Sequence, residues 1–239
     1  MIGTILSREL RSSYELVPLD VRRGWRETVR ADCTDLEALE REFQQKHLVI
    51  DLAAKASPST SWEEVLTNNV PSTLNALEAA RRAGVERVVF ASSNRVTGMY
   101  ERDHPYAAIA AGAYEGLDPT GIPRITTGHP IRPDSPYAVG KTIGEAAARY
   151  YSDQFGLSVI CLRLGTVTKA DRPQKPRDFA TLLTHRDLVA LMRCCLEAPA
   201  GVRFATLYGV SANTWRFWDI ETAREVVGYE PRDNAERWR

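Results

Sequence analysis

The chain of 239 residues lacks the long apolar segments that cross membranes. No uninterrupted apolar run approaches the roughly 20 residues that a transmembrane helix needs. The N-terminus also lacks the charged and then apolar layout of a signal peptide. Neither sign of charge dominates, since 31 Lys and Arg residues balance 31 Asp and Glu residues. This balance gives no electrostatic footprint for a nucleic acid or a membrane surface, and we expect neither as a partner.

Cysteine and histidine are scarce, with four residues of each type. The cysteines show no metal-ligand spacing, and the histidines show no convergent metal pattern. The cysteines are Cys33, Cys161, Cys194 and Cys195. We therefore expect no metal site. Reduced thiols in a cytoplasmic protein are the natural interpretation of this cysteine content.

Predicted strands and helices alternate along the chain. Continuous apolar runs predict buried strands at 14–19, 47–54, 87–91, 157–164 and 204–209. Helical spacing of apolar residues predicts helices at 2–10, 35–46, 69–83, 137–155 and 186–197. Gly84 and Gly156 mark the ends of two of these helices. The alternation predicts an α/β fold with a doubly wound parallel sheet, in one Rossmann-like domain over residues 1–239.

Two further features of this predicted domain concern its second half. Residues 165–239 are expected to contribute most of a small C-terminal substrate lobe. Residues 101–133 form a long stretch with little periodicity. Loops of this length are usually functional, so we interpret this stretch as a lid or a substrate loop.

The beginning of a dinucleotide-binding fold is missing from the sequence. Such a fold needs a first strand and a Gly-rich turn, where backbone N–H groups at a helix N-terminus meet a pyrophosphate. This sequence opens at Met1 and enters directly the helix expected after that turn, with Gly3 where the last glycine of the motif would fall. We interpret this as a late start or a deletion, although Gly3 could be an ordinary residue. The missing strand would be central in the sheet.

A Tyr-x-x-x-Lys motif runs from Tyr137 to Lys141 near a predicted helix start. Positions four apart share a helix face, so the ammonium can lie beside the phenol. A neighbouring positive charge lowers the pKa of a tyrosine from its ordinary value of about 10 and makes it a usable general base. Ser93 lies upstream, at the end of an apolar strand. It could simply form local hydrogen bonds there, but the downstream pair favours catalysis.

Four blocks of sequence carry a resemblance to a known family. They are 90–100 (FASSNRVTGMY), 132–145 (RPDSPYAVGKTIGE), 207–219 (LYGVSANTWRFWD) and 229–236 (YEPRDNAE). In this order they resemble the extended short-chain dehydrogenase/reductases, also called NAD-dependent epimerase/dehydratases. Within that family they look most like the uronate dehydrogenase group. The resemblance covers essentially the whole chain from Gly3.

The resemblance implies roles for individual residues. Tyr137 would be the base, Ser93 the donor to the substrate oxygen, and Lys141 the residue that lowers the Tyr137 pKa and holds the nicotinamide ribose. The implied contacts with NAD are Gly3, Asp20, Asp32, Cys33, Leu52, Ala53, Ala54 and Asn69, together with Lys141. A carboxylate at the position of Asp20 favours NAD over NADP. Arg22 and Arg23, close behind it, weaken that preference.

The implied substrate contacts leave the sugar open. Asn94 and Arg177 fall where the uronate enzymes contact their sugar, and a guanidinium matches a carboxylate in bidentate geometry. Arg95 stands where that group often has a histidine, and Ser57 lies in a stretch that does not align cleanly. Arg95 with Arg177 could equally hold a phosphate. A solvated Arg177 is the alternative, because it lies in a polar, proline-flanked loop.

The sequence therefore predicts an NAD-dependent oxidoreductase that converts the anomeric carbon of a small acidic sugar, a uronate or a sugar phosphate, to a lactone. One alternative is a nucleotide-sugar epimerase or dehydratase, which the short segment after Lys141 disfavours. Another is a catalytically silent dinucleotide-binding protein, because the pyrophosphate turn is missing. The resemblance also implies a homodimer formed through helices 69–83 and 137–155.

Overall fold

The computed structural model describes residues 1–22 and 28–239. Within these ranges the strands are β1 (Leu19–Asp20), β2 (Val29–Arg30), β3 (Leu48–Asp51), β4 (Arg87–Ser93), β5 (Ser158–Leu164) and β6 (Phe204–Gly209). Every pair of neighbouring strands is parallel. β1 and β2 form one sheet, and the other has the order β3-β4-β5-β6. The predicted parallel α/β architecture is confirmed, although these strands form two sheets rather than one.

Helices connect the strands. They are α1 (Ile2–Leu10), α2 (Leu36–Phe43), α3 (Trp62–Glu64), α4 (Val70–Ala83), α5 (Tyr106–Ala111), α6 (Pro136–Phe155), α7 (Asp178–Thr181), α8 (His185–Leu196) and α9 (Glu221–Val227). A π-helical turn (Val65–Asn69) joins α3 to α4, and 3₁₀ segments occur at Asn94–Arg102 and Ala235–Trp238. α4 and α6 end at the predicted glycines, Gly84 and Gly156, both left-handed. None of the helices in the described ranges could cross a membrane.

Helices cover both faces of the four-stranded sheet. Successive side chains of a strand point to opposite faces, so each central strand contributes to two cores. On one face, Val89 and Ile160 pack with residues of α1 and α8. On the other, Phe90 and Cys161 pack with residues of α2 and α4. Burial on both faces explains why these strands are continuous apolar runs in the sequence.

A third apolar cluster forms the lobe beyond the sheet. Residues of the 101–133 loop join the C-terminal segment there, and Trp218 is fully buried among them. The Ile125 N–H donates to the Phe217 carbonyl at 2.7 Å, and the Asp219 N–H donates to the Ile125 carbonyl at 3.1 Å. The sequence analysis assigned most of this lobe to residues 165–239. The structure shows that part of the 101–133 loop contributes to it as well.

Candidate active site

Tyr137 and Lys141 occupy the first two turns of α6. Ser135 caps the helix, because its hydroxyl accepts from the Ala138 N–H at 3.3 Å, and Pro136 opens it with a suitable backbone angle. The Tyr137 and Lys141 side chains lie on one face, and the Lys141 Nζ is 5.9 Å from the centre of the Tyr137 ring. Both residues are buried, at 8% and 4% exposed. The cap and the helical spacing therefore place a phenol and an ammonium side by side in a water-poor site.

Ser93 lies at the carboxyl end of β4, a central strand. Its hydroxyl accepts from the Arg95 N–H at 3.2 Å, and its side chain lies close enough to the Tyr137 phenol to affect the pKa of that group. Ligands in open α/β sheets bind outside the carboxyl ends of the strands, which is where this serine lies. The structure thus brings together the three residues that the sequence analysis proposed as catalytic.

The pKa of Tyr137 is raised rather than lowered. Burial is the largest cause, because it disfavours the charged phenolate. The nearby Ser93 side chain and the positive charge of Arg95 act in the opposite direction and lower the pKa. The sequence predicts that Lys141 lowers the Tyr137 pKa. In this structure Ser93 and Arg95 do so, and desolvation outweighs them.

Lys141 is itself a desolvated cation. Burial lowers its pKa, and the charge of Asp51 is the largest opposing influence. Asp51 ends β3 and faces Phe90 across the β3–β4 ladder, and the Lys141 Nζ lies 4.7 Å from the centre of the Phe90 ring. Burial in turn raises the pKa of Asp51, against the charge of Lys141 and a hydrogen bond from the Ala53 N–H.

The sequence analysis did not assign Asp51 to the site. The sequence does contain an indication of this role, since Asp51 is the one charged residue inside the apolar run 48–54. A carboxylate that is buried at the end of a parallel strand is a functional-site candidate.

A buried polar network continues along the helix face that carries Tyr137 and Lys141. Glu145, one turn beyond Lys141, accepts from the Ser92 hydroxyl at 2.6 Å and from Arg163 Nε and Nη2 at 2.9 and 2.8 Å. The Arg163 Nη1 also donates to the Tyr208 hydroxyl at 3.2 Å. These bonds tie α6 to β4, β5 and β6. Sequence reasoning missed this network because its members are far apart along the chain.

The predicted adenosine contacts gather at the ends of β1 and β2. Burial, together with the charges of Asp51, Asp32 and Asp20, raises the pKa of the Cys33 thiol to about 11. These carboxylates therefore lie near Cys33. The Thr34 backbone N–H and hydroxyl hold the pKa of Asp32 low, and Asp20 accepts from the Arg22 N–H at 2.9 Å. Arg23 lies outside the described residues.

The remaining predicted cofactor contacts follow β3 and flank α1. Gly3 lies in the first turn of α1, where an added methyl group would meet Leu52 at 3.5 Å. Ala53 and Ala54 continue the segment after β3. Asn69 ends the π-helical turn and holds the backbone of Lys55, whose N–H donates to its side-chain oxygen at 2.8 Å. Such π-turns often occur at functional sites, and this one was not predicted from the sequence.

Arg95 and Asn94 begin the 3₁₀ segment that follows Ser93. Asn94 is buried, whereas Arg95 is half-buried and its Nη1 forms an ion pair with the Asp134 carboxylate at 2.6 Å. Asp134 fills the space that a side chain at Gly98 would need, which explains the glycine there. Ser57 lies in the loop after β3, and its hydroxyl contacts that of Ser59 at 2.7 Å.

Arg177 is held by Glu101 in a bidentate ion pair. Its Nε and Nη2 donate to the two Glu101 carboxylate oxygens at 2.5 and 2.6 Å. Its Nη1 donates to the hydroxyls of Thr166 and Thr181 at 3.0 and 3.3 Å. The side chains of Arg177 and Glu101 are 21% and 15% exposed. The guanidinium predicted to hold an acidic sugar therefore already has a carboxylate partner.

The fold and these residues define a dinucleotide-dependent enzyme of the short-chain dehydrogenase/reductase type. The sequence model of the NAD dependent epimerase/dehydratase family matches residues 1–188. The chain belongs to this family, as the resemblance in the sequence implied.

Relatives with established names span several sugars. An NAD-dependent glucose-6-phosphate dehydrogenase of Haloferax volcanii is 36% identical over 86% of this chain and 75% of its own. An L-arabinose 1-dehydrogenase (NAD(P)(+)) of the same organism is 32% identical over 98% of this chain and 93% of its own. A crystal structure of a uronate dehydrogenase variant from Agrobacterium tumefaciens, complexed with NAD, is 27% identical with a TM-score of 0.82, covering 100% and 83% of the two chains.

Proposed function

We propose that this chain is an NAD-dependent dehydrogenase that oxidises the anomeric carbon of a small sugar to a lactone. The observation that carries the proposal is the convergence of Ser93, Tyr137 and Lys141 at the carboxyl end of β4. The relatives support both the sugar and the cofactor, since their names include glucose-6-phosphate, L-arabinose and uronate dehydrogenases. Uronates and sugar phosphates are the acidic candidates that the sequence suggested.

The residues present fit an NAD molecule along the carboxyl edge of the sheets. Asp20 ends β1, where a carboxylate can accept from ribose hydroxyls, and Asp32 and Cys33 lie nearby. The first turn of α1 carries no acidic residue, and no side chain caps it, so its N–H groups suit a phosphate. Lys141 would hold the nicotinamide ribose next to Tyr137. When bound, NAD supplies the acceptor for the hydride that leaves the anomeric carbon.

The residues of the chain handle the proton and the orientation of the sugar. Tyr137, as the phenolate, takes the proton from the anomeric hydroxyl. Ser93 donates a hydrogen bond to the same oxygen and so holds it beside the phenol. Lys141 and Arg95 are the cations near the phenolate, and the charge of Arg95 already favours it. Because burial raises the Tyr137 pKa, the rate is expected to increase toward alkaline pH.

The test measures NADH absorbance with glucuronate, galacturonate, glucose 6-phosphate and L-arabinose, with the lactone identified by NMR. We expect turnover of at least one sugar. The absence of NADH with these four sugars and with glucose and galactose would contradict the proposal. NAD binding without turnover would favour a silent dinucleotide-binding protein. Stabilisation by a UDP-sugar without net NADH would favour an epimerase.

We also propose that the chain forms a homodimer through α4 and α6. These helices pack side by side, and apolar side chains remain exposed on them and on the preceding π-helical turn. They are Leu66, Leu74, Ile143, Tyr150 and Phe155. A Tyr150→Asp variant should shift the mass measured by light scattering from two chains to one. A wild-type mass of one chain would contradict the proposal.

A further inference from the structure

The Glu101–Arg177 pair leaves the guanidinium little capacity for another anion. An arginine has five N–H donors. Two of those of Arg177 bind Glu101 and two bind the hydroxyls of Thr166 and Thr181, so four of the five are used. The two carboxylate bonds take the forked edge that recognises a carboxylate in bidentate geometry. A substrate carboxylate would have to displace Glu101 to reach this edge.

The pair lies at the rim of the candidate active site. Glu101 is in the 3₁₀ segment that continues from Ser93 at the end of β4. Arg177 binds Thr166, two residues beyond the end of β5. Both therefore lie outside the carboxyl ends of adjacent central strands, where ligands of open α/β sheets bind. The charge of Asp134, the partner of Arg95, also acts on Arg177, so the two ion pairs are close to each other.

These contacts remove the positive charge that an anionic sugar needs. Arg177 is neutralised by Glu101, and Arg95 is neutralised by Asp134. A uronate that entered would bring its carboxylate toward two carboxylates already in place, and like charges at short range repel each other. A neutral hydroxymethyl group carries no such penalty, and hydroxyls can bond with Glu101 as donors.

We propose that Glu101 is a specificity-determining residue that holds Arg177 and thereby selects neutral aldoses over uronates. The inference rests on the proposed function, because it concerns the sugar that the same site oxidises. It names Glu101 as the discriminating group and a neutral aldose as the substrate class.

The experiment compares sugars that differ only at C6, namely galactose with galacturonate and glucose with glucuronate. At saturating NAD, the wild type should give the higher kcat/KM for the neutral sugar of each pair. Glu101→Gln keeps the size of the side chain and one acceptor oxygen for Arg177 but removes the charge. It should raise kcat/KM for the uronates about tenfold, mainly through a lower KM, so that the ratio of uronate to neutral kcat/KM rises.

Two further variants separate selectivity from general damage. Asp103→Asn removes a carboxylate two residues away that pairs with Arg132 instead. It should leave the ratio of uronate to neutral kcat/KM unchanged. Arg177→Gln in the Glu101→Gln background should abolish the gain for uronates, because the freed guanidinium is then gone.

The outcomes distinguish this inference from the proposed function. A wild type that prefers either uronate over its neutral partner overturns the inference and needs no variant to show it. Turnover of the neutral sugars with an unchanged ratio in a folded Glu101→Gln protein also overturns it, while the proposed function stands. The absence of NADH with galactose, glucose and both uronates overturns this inference, because the neutral aldoses are then not oxidised. If glucose 6-phosphate and L-arabinose also give no NADH, the proposed function is contradicted as well.

Discussion

The positive charge of Lys141, deep in the site, and those of Arg95 and Arg177, at its rim, have opposite surroundings. At the base, Lys141 is almost fully buried, and no carboxylate of the described residues lies close enough to form an ion pair with it. The charge of Asp51 is the largest influence that raises the pKa of Lys141. At the rim, Arg95 and Arg177 each contact a carboxylate at hydrogen-bonding distance. Among the described residues, the ammonium has no carboxylate at ion-pair distance, whereas each of the two guanidinium groups has one.

The difference separates a desolvated cation with a lowered pKa from two arginines that ion pairs hold in place, one of which, Arg95, also lowers the pKa of Tyr137. A desolvated ammonium without a direct partner has a shifted pKa and responds strongly to any charge that forms nearby. A bidentate arginine–carboxylate pair is fixed in geometry and carries no net charge.

The largest effect is expected from Tyr137→Phe. The variant removes the proton acceptor but keeps the ring, so kcat should fall about a thousandfold while NAD affinity and the melting temperature stay close to those of the wild type. NADH formation and NAD-induced thermal shifts would be measured together. Retention of most of the activity would show that another group takes the proton.

A large effect on stability is expected from Arg163→Met. Glu145, on the same helix as Tyr137, would then be left buried without its cation. Removing one partner of a buried pair costs about 3–5 kcal/mol, so the free energy of unfolding in urea should fall by that amount. Arg8→Met, which breaks the exposed pair with Glu9, is the control and should change little. An equal loss of unfolding free energy in both variants would show that the buried Glu145–Arg163 pair matters no more to stability than the exposed pair.

Arg95→Gln should shift the pH dependence of the reaction. Tyr137 acts deprotonated, so activity rises as the pH passes its pKa. The charge of Arg95 lowers that pKa, and its removal should move the rising limb of kcat/KM to higher pH. On that limb, activity at a fixed pH should fall about tenfold if the Tyr137 pKa rises by about one. Arg95→Lys keeps the charge and should leave the limb in place. If the rising limb does not move in Arg95→Gln, the charge of Arg95 does not affect the pKa of Tyr137.

The features that the sequence predicted are those that local physics determines. Apolar runs became the central strands, and Gly84 and Gly156 ended their helices because a left-handed residue terminates a helix. Helical spacing fixed Tyr137 beside Lys141, since residues four apart must share a face. The end of a strand is likewise visible locally, which is why Ser93 could be named.

The features that it missed depend on contacts between distant parts of the chain. Glu101 and Arg177 are 76 residues apart, and no spacing rule joins a 3₁₀ segment to a helix at that separation. The prediction that Lys141 lowers the Tyr137 pKa rests only on the proximity of the two side chains. It left out desolvation, which depends on the packing of the whole site and here outweighs the favourable charges.

The smallest effect is expected from Asp51→Asn, which tests whether Lys141 depends on a distant carboxylate. The charge of Asp51 raises the Lys141 pKa, so its removal should lower that pKa and let the ammonium lose its proton at a lower pH. The falling limb of kcat/KM at alkaline pH should then move to lower pH. At a fixed alkaline pH, the activity should be lower than that of the wild type by about a few-fold. Because burial raises the Asp51 pKa, wild type and variant should converge at acidic pH, where Asp51 is already neutral. Asp153→Asn, at an exposed pair with Arg149, is the control. Identical pH profiles for Asp51→Asn and the wild type would show that the charge of Asp51 does not affect the pKa of Lys141.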